Sequence, residues 1–192
     1  MVAFAVAGTL LGAEPSAKGA GTQVASGKPV VSEAPKEAPP PPVDQATKNR
    51  QAKQLISDLS AVTDPCDKFG KAVGDAFGNY DMLTAYENAT NAEGVCYDAA
   101  GKVESVALPA YLSEQGKKDV KAALHDLSEA YSMKAYTYKG MAKVADGNMK
   151  PSMVSDVKSR QEMATAGQLS GLAQLMTILV REGAEMKAFS DG

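Results

Sequence analysis

Between Ser113 and Phe189 apolar residues return at steps of three and four, on either side of a single interruption, Asp146-Gly147-Asn148-Met149-Lys150-Pro151. Val120, Leu124, Leu127, Tyr131, Ala135, Tyr138, Ala142 and Ala145 draw one stripe down a helix before it. Val154, Val157, Ala164, Leu172, Leu175, Leu179 and Met186 draw another after it. Gly147 suits the left-handed cap that ends the first helix, and Pro151 suits the first turn of the second. Two amphipathic rods joined by a short turn must lie antiparallel, apolar stripe on apolar stripe. In that register Leu127 is expected to face Gly171 and Tyr131 to face Gly167, large residue against none. The run Leu169–Val180 is apolar on most sides and is expected to form the buried centre. Trp is absent and aromatics make up 6% of the chain, which favours helix over sheet. The fold class expected is therefore all-α: an antiparallel helical bundle built on a long C-terminal hairpin, with a disordered N-terminal tail.

The chain before this hairpin changes character twice. Met1–Ala13 is a short apolar run of Val2, Phe4, Val6, Leu10 and Leu11 among alanines, too short to span a bilayer, which takes about 20 residues. Residues 1–17 fit a secretion signal, although no Lys or Arg precedes the apolar run; the alternative is a disordered apolar N-terminus. Seven of the ten prolines fall at or before Pro42, so residues 18–43 have the composition of an extended linker, either a spacer or a solubilising tail. Residues 44–192 are expected to form the bundle.

Within 44–112, Asp44 is expected to cap a helix running to about Val62, and Thr63-Asp64-Pro65 to end it and start the next. Cys66 and Cys96 are the only cysteines. In an exported protein an even pair is normally a disulfide; in a reducing compartment the same two would be small buried hydrophobes. The bond has a consequence for topology. One straight helix would hold residues 66 and 96 about 45 Å apart, and a disulfide needs α-carbons within about 7 Å. The chain must then reverse near residue 81, where Gly78-Asn79-Tyr80-Asp81 has turn chemistry. Without the bond, 65–105 reads as one long helix of a three-helix bundle. Thr90 and Glu93 offer a capping box and a break at Asn91. Ser113 is the expected cap of the hairpin's first helix, which ends near Asp146, and the second is expected to reach about Ala188.

One helical face stands out. Phe69, Val73 and Phe77 lie on one line and Gly70, Gly74 and Gly78 on another beside it. Each interior glycine costs roughly 1 kcal/mol against alanine, so this face is the candidate contact surface for another backbone, whether inside the bundle or on a partner. Lys71 and Asp75 argue against burial in lipid. Between 64 and 105 eight acids face three bases, a stretch suited to a cationic partner or simply to solvent.

Signatures of chemistry are sparse. His125 is the only histidine, with Lys121 and Glu129 one turn away; pairing with Glu129 is the expectation, a metal or haem ligand the alternative. There is no Cys-x-x-Cys-His, no His-x-x-x-His and no Glu-x-x-His. Met141, Met149 and Met153 gather about the hairpin turn, as gap-fillers or as soft copper ligands. Tyr131, Tyr136 and Tyr138 interleave with Lys134, Lys139 and Lys143, but Asp126, Glu129 and Asp146 dilute the charge. The net charge of −3 gives no basic field for nucleic acid. No catalytic, metal or cofactor-binding residue is assigned and no cofactor is expected. The expectation is an exported, non-enzymatic module that binds a protein of the cell envelope or plays a structural role there, with no nucleic acid and no integral membrane span. The alternative is a periplasmic carrier of a small ligand or metal, copper or haem, in the bundle interior.

Overall fold

The computed structural model describes residues 42–189. Four α-helices, α1 (Gln45–Gly78), α2 (Met82–Val103), α3 (Glu114–Ala145) and α4 (Pro151–Arg181), precede a short 3-10 turn at Met186–Phe189. The expected signal and linker segments lie outside the described residues, except for the end of the linker at Pro42 and Val43. The all-α antiparallel bundle is the fold observed. α2 packs on both α1 and α3, and α3 on both α2 and α4.

The ends of the helices follow their local chemistry. Asp44 and Ser113 accept the backbone N–H groups of Thr47 and Gly116, each at 2.9 Å. The α1–α2 turn places Tyr80 at φ 58° and lets Asp81 cap α2 through the Thr84 N–H at 3.1 Å. Gly147 takes φ 93° behind α3, and Pro151 opens α4. α4 stops at Arg181, short of the expected Ala188, because Gly183 turns left-handed at φ 107° and Ala184 N–H closes on Leu179 O.

Two expected breaks are absent. α1 runs unbroken through Pro65. Proline cannot donate to the carbonyl of Ala61, a defect of about 3 kcal/mol in a helix interior. Ala61 and Pro65 both lie on the exposed side, where water reaches the freed carbonyl, while Leu59, Thr63 and Cys66 continue the buried stripe past it. α2 likewise passes Asn91 without interruption, and the Thr90 hydroxyl donates back to Tyr86 O at 2.9 Å instead of capping.

Cys66 and Cys96 are bonded, with α-carbons 4.8 Å apart and both side chains fully buried. The chain reverses at Asn79–Asp81, as that bond demands. The α3–α4 register agrees with the sequence at Leu127, where a Cβ on Gly171 would lie 2.7 Å from the Leu127 Cγ. At Gly167 the facing residue is Ala130, at 3.1 Å, and not Tyr131. The core is a continuous set of Leu55, Leu59, Val73, Val103, Leu124, Leu127, Leu175 and Leu179 threaded with alanines. Leu169–Val180 is not its centre as a whole: Leu175, Ile178 and Leu179 are buried, but Leu169 is 65% and Leu172 38% exposed.

Candidate interaction surface

α4 keeps only a narrow stripe against α3: Val157, Ala164, Gly171 and Ile178 at seven-residue steps, with Leu175 and Leu179 beside the last of them. The rest of the helix faces outward, and from Met163 to Val180 it carries no charged residue. A solvated helix face normally alternates Lys, Glu and Arg; this one presents Thr165, Gln168, Leu169 and Leu172. α4 is long and apolar enough to cross a membrane by length and composition, with only 22% of its most apolar window buried.

Between this helix and α1 lies a cleft. The segment that follows α4 is fastened to the start of α1, where Gln45 Nε2 donates to Gly183 O at 2.7 Å and Asn49 exchanges hydrogen bonds with Glu185 at 2.9 and 3.1 Å. Below that clamp α1 turns short or polar side chains towards α4, namely Ser60, Thr63, Asp64 and Asp67, which are too small to close the gap. The result is a hollow of about 240 Å³ with Ile56 and Leu59 on the α1 wall, Leu169 and Leu172 on the α4 wall, and Leu127 and Tyr131 of α3 as its floor. A second hollow of about 230 Å³ continues it past Asp67 and Thr165 to Gly70, Tyr138 and Gln161.

The two halves differ in character. The first sets Ile56, Leu59, Leu127, Leu169 and Leu172 beside the polar Ser60, Asp64 and Gln168. In the second, Lys134 forms an ion pair with Asp67, its ammonium 5.1 Å from the centre of the Tyr131 ring, and the Tyr131 hydroxyl donates to the same carboxylate at 3.2 Å. Burial pushes the Tyr131 phenol up to about 12, so it remains a donor at any physiological pH.

The face proposed from sequence divides. Val73 is in the core, and Phe69 and Phe77 pack against it. Gly70 lies under the Tyr138 hydroxyl, which occupies the place a Cβ would take, and Gly74 and Gly78 look onto open space. Of the six residues, Gly70 alone borders the cleft.

His125 is exposed, its Nδ1 2.8 Å from Glu104 Oε1 and its Nε2 3.7 Å from Glu129. The Glu104 hydrogen bond raises its pKa above the ordinary imidazole value. Met149 is exposed, and Met141 and Met153 are half-buried. Among the described residues no group of three or more His, Cys, Asp or Glu side chains is placed to hold a metal. The tyrosines part company: Tyr131 and Tyr138 are buried, while Tyr136 is half-exposed and packs edge-on against Tyr97. Lys134 is committed to Asp67 and Lys139 to Glu93.

The open α1–α4 trough was not visible in the sequence. Its signal was the absence of charge over Met163–Val180 together with interleaved Thr, Gln and Ser, a mixture that suits neither a core nor a solvated face.

These features define an all-α bundle of four antiparallel helices in which three neighbouring pairs are packed and the fourth, α1 with α4, is open. Compared with protein-family models, with curated proteins and with solved structures, the chain matches none.

Proposed function

We propose that the protein is an exported, non-enzymatic module of the cell envelope that binds another protein through the cleft between α1 and α4. The observation that carries this reading is the exposed, charge-free face of α4 standing open across the cleft from α1. Isolated exposed leucines are ordinary, but here Leu169 and Leu172 together line one wall of a hollow. The buried Cys66–Cys96 disulfide suits a non-reducing compartment, and the periplasm or the cell exterior is the natural place for it. The proline-rich composition of residues 18–43 would supply reach from an anchorage or between partners.

The test is site-specific photo-crosslinking in the native cell. A photoreactive residue replacing Gln168, in the cleft, is expected to yield one discrete protein adduct. The same residue replacing Gly101, on the exposed side of α2, is expected to yield none. Equal labelling from the two positions would refute the cleft as the binding surface.

A further inference from the structure

If the cleft binds a protein, its chemistry constrains which segment of that protein it can hold. Resting on that reading, we infer that the cleft receives an amphipathic α-helix of a partner protein, apolar on one side and carrying a Lys or Arg on the edge that meets α1.

Both walls are helices whose backbone groups already pair internally, so neither offers the free N–H and C=O row that an added β-strand requires. What the walls do offer is side-chain rows at helical spacing. Ile56, Ser60 and Asp64 form a ridge along α1 in steps of four. Thr165, Leu169 and Leu172 form one along α4 in steps of four and three. A third helix can set its own ridges between these two. The open stretch spans Gln161 to Leu172 of α4, about 16 Å or three turns.

The walls differ in charge. α4 contributes none between Met163 and Val180, and Asp67 is already held by Lys134. Asp64 is exposed at the α1 rim and makes no ion pair among the described residues. A partner helix is therefore free of charge where it meets Leu169 and Leu172, apolar above Leu127, and cationic opposite Asp64. The same rim carboxylate repels an anionic lipid surface, which sets the polypeptide reading ahead of a membrane one.

The test uses the full chain and two hydrocarbon-stapled helical peptides with the same leucine-rich face. One carries lysines along one flank, the other glutamates, and binding is read by fluorescence anisotropy. The lysine peptide is expected to bind at least about threefold more tightly than the glutamate peptide, the range of one exposed ion pair. Asp64→Asn is expected to erase that preference. Leu169→Glu, at a position exposed enough to leave the circular dichroism unchanged, is expected to weaken both peptides by about tenfold or more. Equal binding of the two peptides, to wild type and to Asp64→Asn alike, would overturn the charge assignment and leave the cleft standing. Binding untouched by Leu169→Glu would remove the cleft itself, and the proposed function with it. A dimer in sedimentation that Leu169→Glu dissociates, or binding to phosphatidylglycerol vesicles that the same variant abolishes, would overturn the partner-helix assignment in favour of a second copy or a membrane.

Discussion

Helix propensity alone says that every interior glycine is a defect, worth about 0.8–1.0 kcal/mol on replacement by alanine. The packing says otherwise, and a pair of substitutions separates the two. At Gly74 a new Cβ meets nothing within 4 Å, so Gly74→Ala should realise most of the propensity gain, about 0.5–1 kcal/mol. At Gly171 the new Cβ would lie 2.7 and 2.9 Å from Leu127 Cγ and Cδ2, and 3.5 Å from Ala123 O. Leu127 is 1% exposed and cannot swing aside without disturbing the core around it. Forced overpacking costs about 1–3 kcal/mol. After subtracting the propensity gain, Gly171→Ala should destabilise by about 0–2 kcal/mol, leaving the two variants about 1–3 kcal/mol apart. Urea denaturation with linear extrapolation resolves this, provided the m-values agree. Thermal scans should show the same order, at about 2–4 °C per kcal/mol for a domain of this size. Gly167→Ala, 3.1 Å from the Ala130 Cβ, should fall between them. Equal stabilisation by Gly74→Ala and Gly171→Ala would refute the α3–α4 register from which these magnitudes are worked.

Leu175→Ala should destabilise by about 2–5 kcal/mol because the side chain is fully buried, whereas Leu169→Ala should change stability by less than about 0.5 kcal/mol; equilibrium unfolding of the two distinguishes the halves of one apolar run. Replacing Cys66 and Cys96 together by alanine should cost about 3–4 kcal/mol, the constraint expected of a bridge spanning 30 residues, read as a lower denaturation midpoint. His125 should titrate above its ordinary value in an NMR pH series, because the Glu104 carboxylate accepts a hydrogen bond from the protonated ring, and Glu104→Gln should bring it down. The charged pair contributes its full stability below the unfolded imidazole pKa, and that contribution fades as pH rises through the raised folded value. A titration at or below the ordinary value would remove the pair.

The fold was legible wherever local chemistry and hydrophobic period agreed. Asp44, Ser113, Gly147 and Pro151 marked helix ends because each satisfies or relieves a terminal backbone group whatever lies around it. The reversal at Tyr80 was legible for another reason: two cysteines thirty residues apart cannot meet across a straight helix. Pro65 misled because its local signal is a break, and the structure overrides it with a buried stripe that continues on the other side of the helix. Thr90 misled in the same way. Its hydroxyl can cap a helix or bond back within one, and only an α2 that packs along its length decides between them. In the glycine line the spacing located a real close approach at Gly70, beneath Tyr138. Identical spacing at Gly74 and Gly78 located open space, since distance to another helix is a tertiary quantity that no periodicity encodes.

In α4 the pattern was ambiguous for a deeper reason. An uncharged run reports that a segment avoids solvated charge; it does not report what covers it. In Leu169–Val180 the packing against α3 buries Leu175, Ile178 and Leu179, while Leu169 stays 65% exposed. The difference arises because α1, pinned to α2 by Cys66–Cys96 and clamped by Gln45 and Asn49 to the segment that follows α4, presents serine, threonine and aspartate where a closing helix would present leucine. Replacing Ser60 and Asp64 by leucine should therefore do what the native sequence does not. It should fill the hollow, bury Leu169 and Leu172, and raise stability by about 1–3 kcal/mol, given about 25 cal/mol for each Å² of apolar surface removed from water. The same variant should lose the crosslink from position 168. A chain that gains stability on closing the cleft, and loses its adduct in the same step, keeps that cleft open at a cost to its own fold. Stability unchanged by the double substitution would mean that α1 and α4 stand too far apart to close, and that the hollow is a by-product of packing.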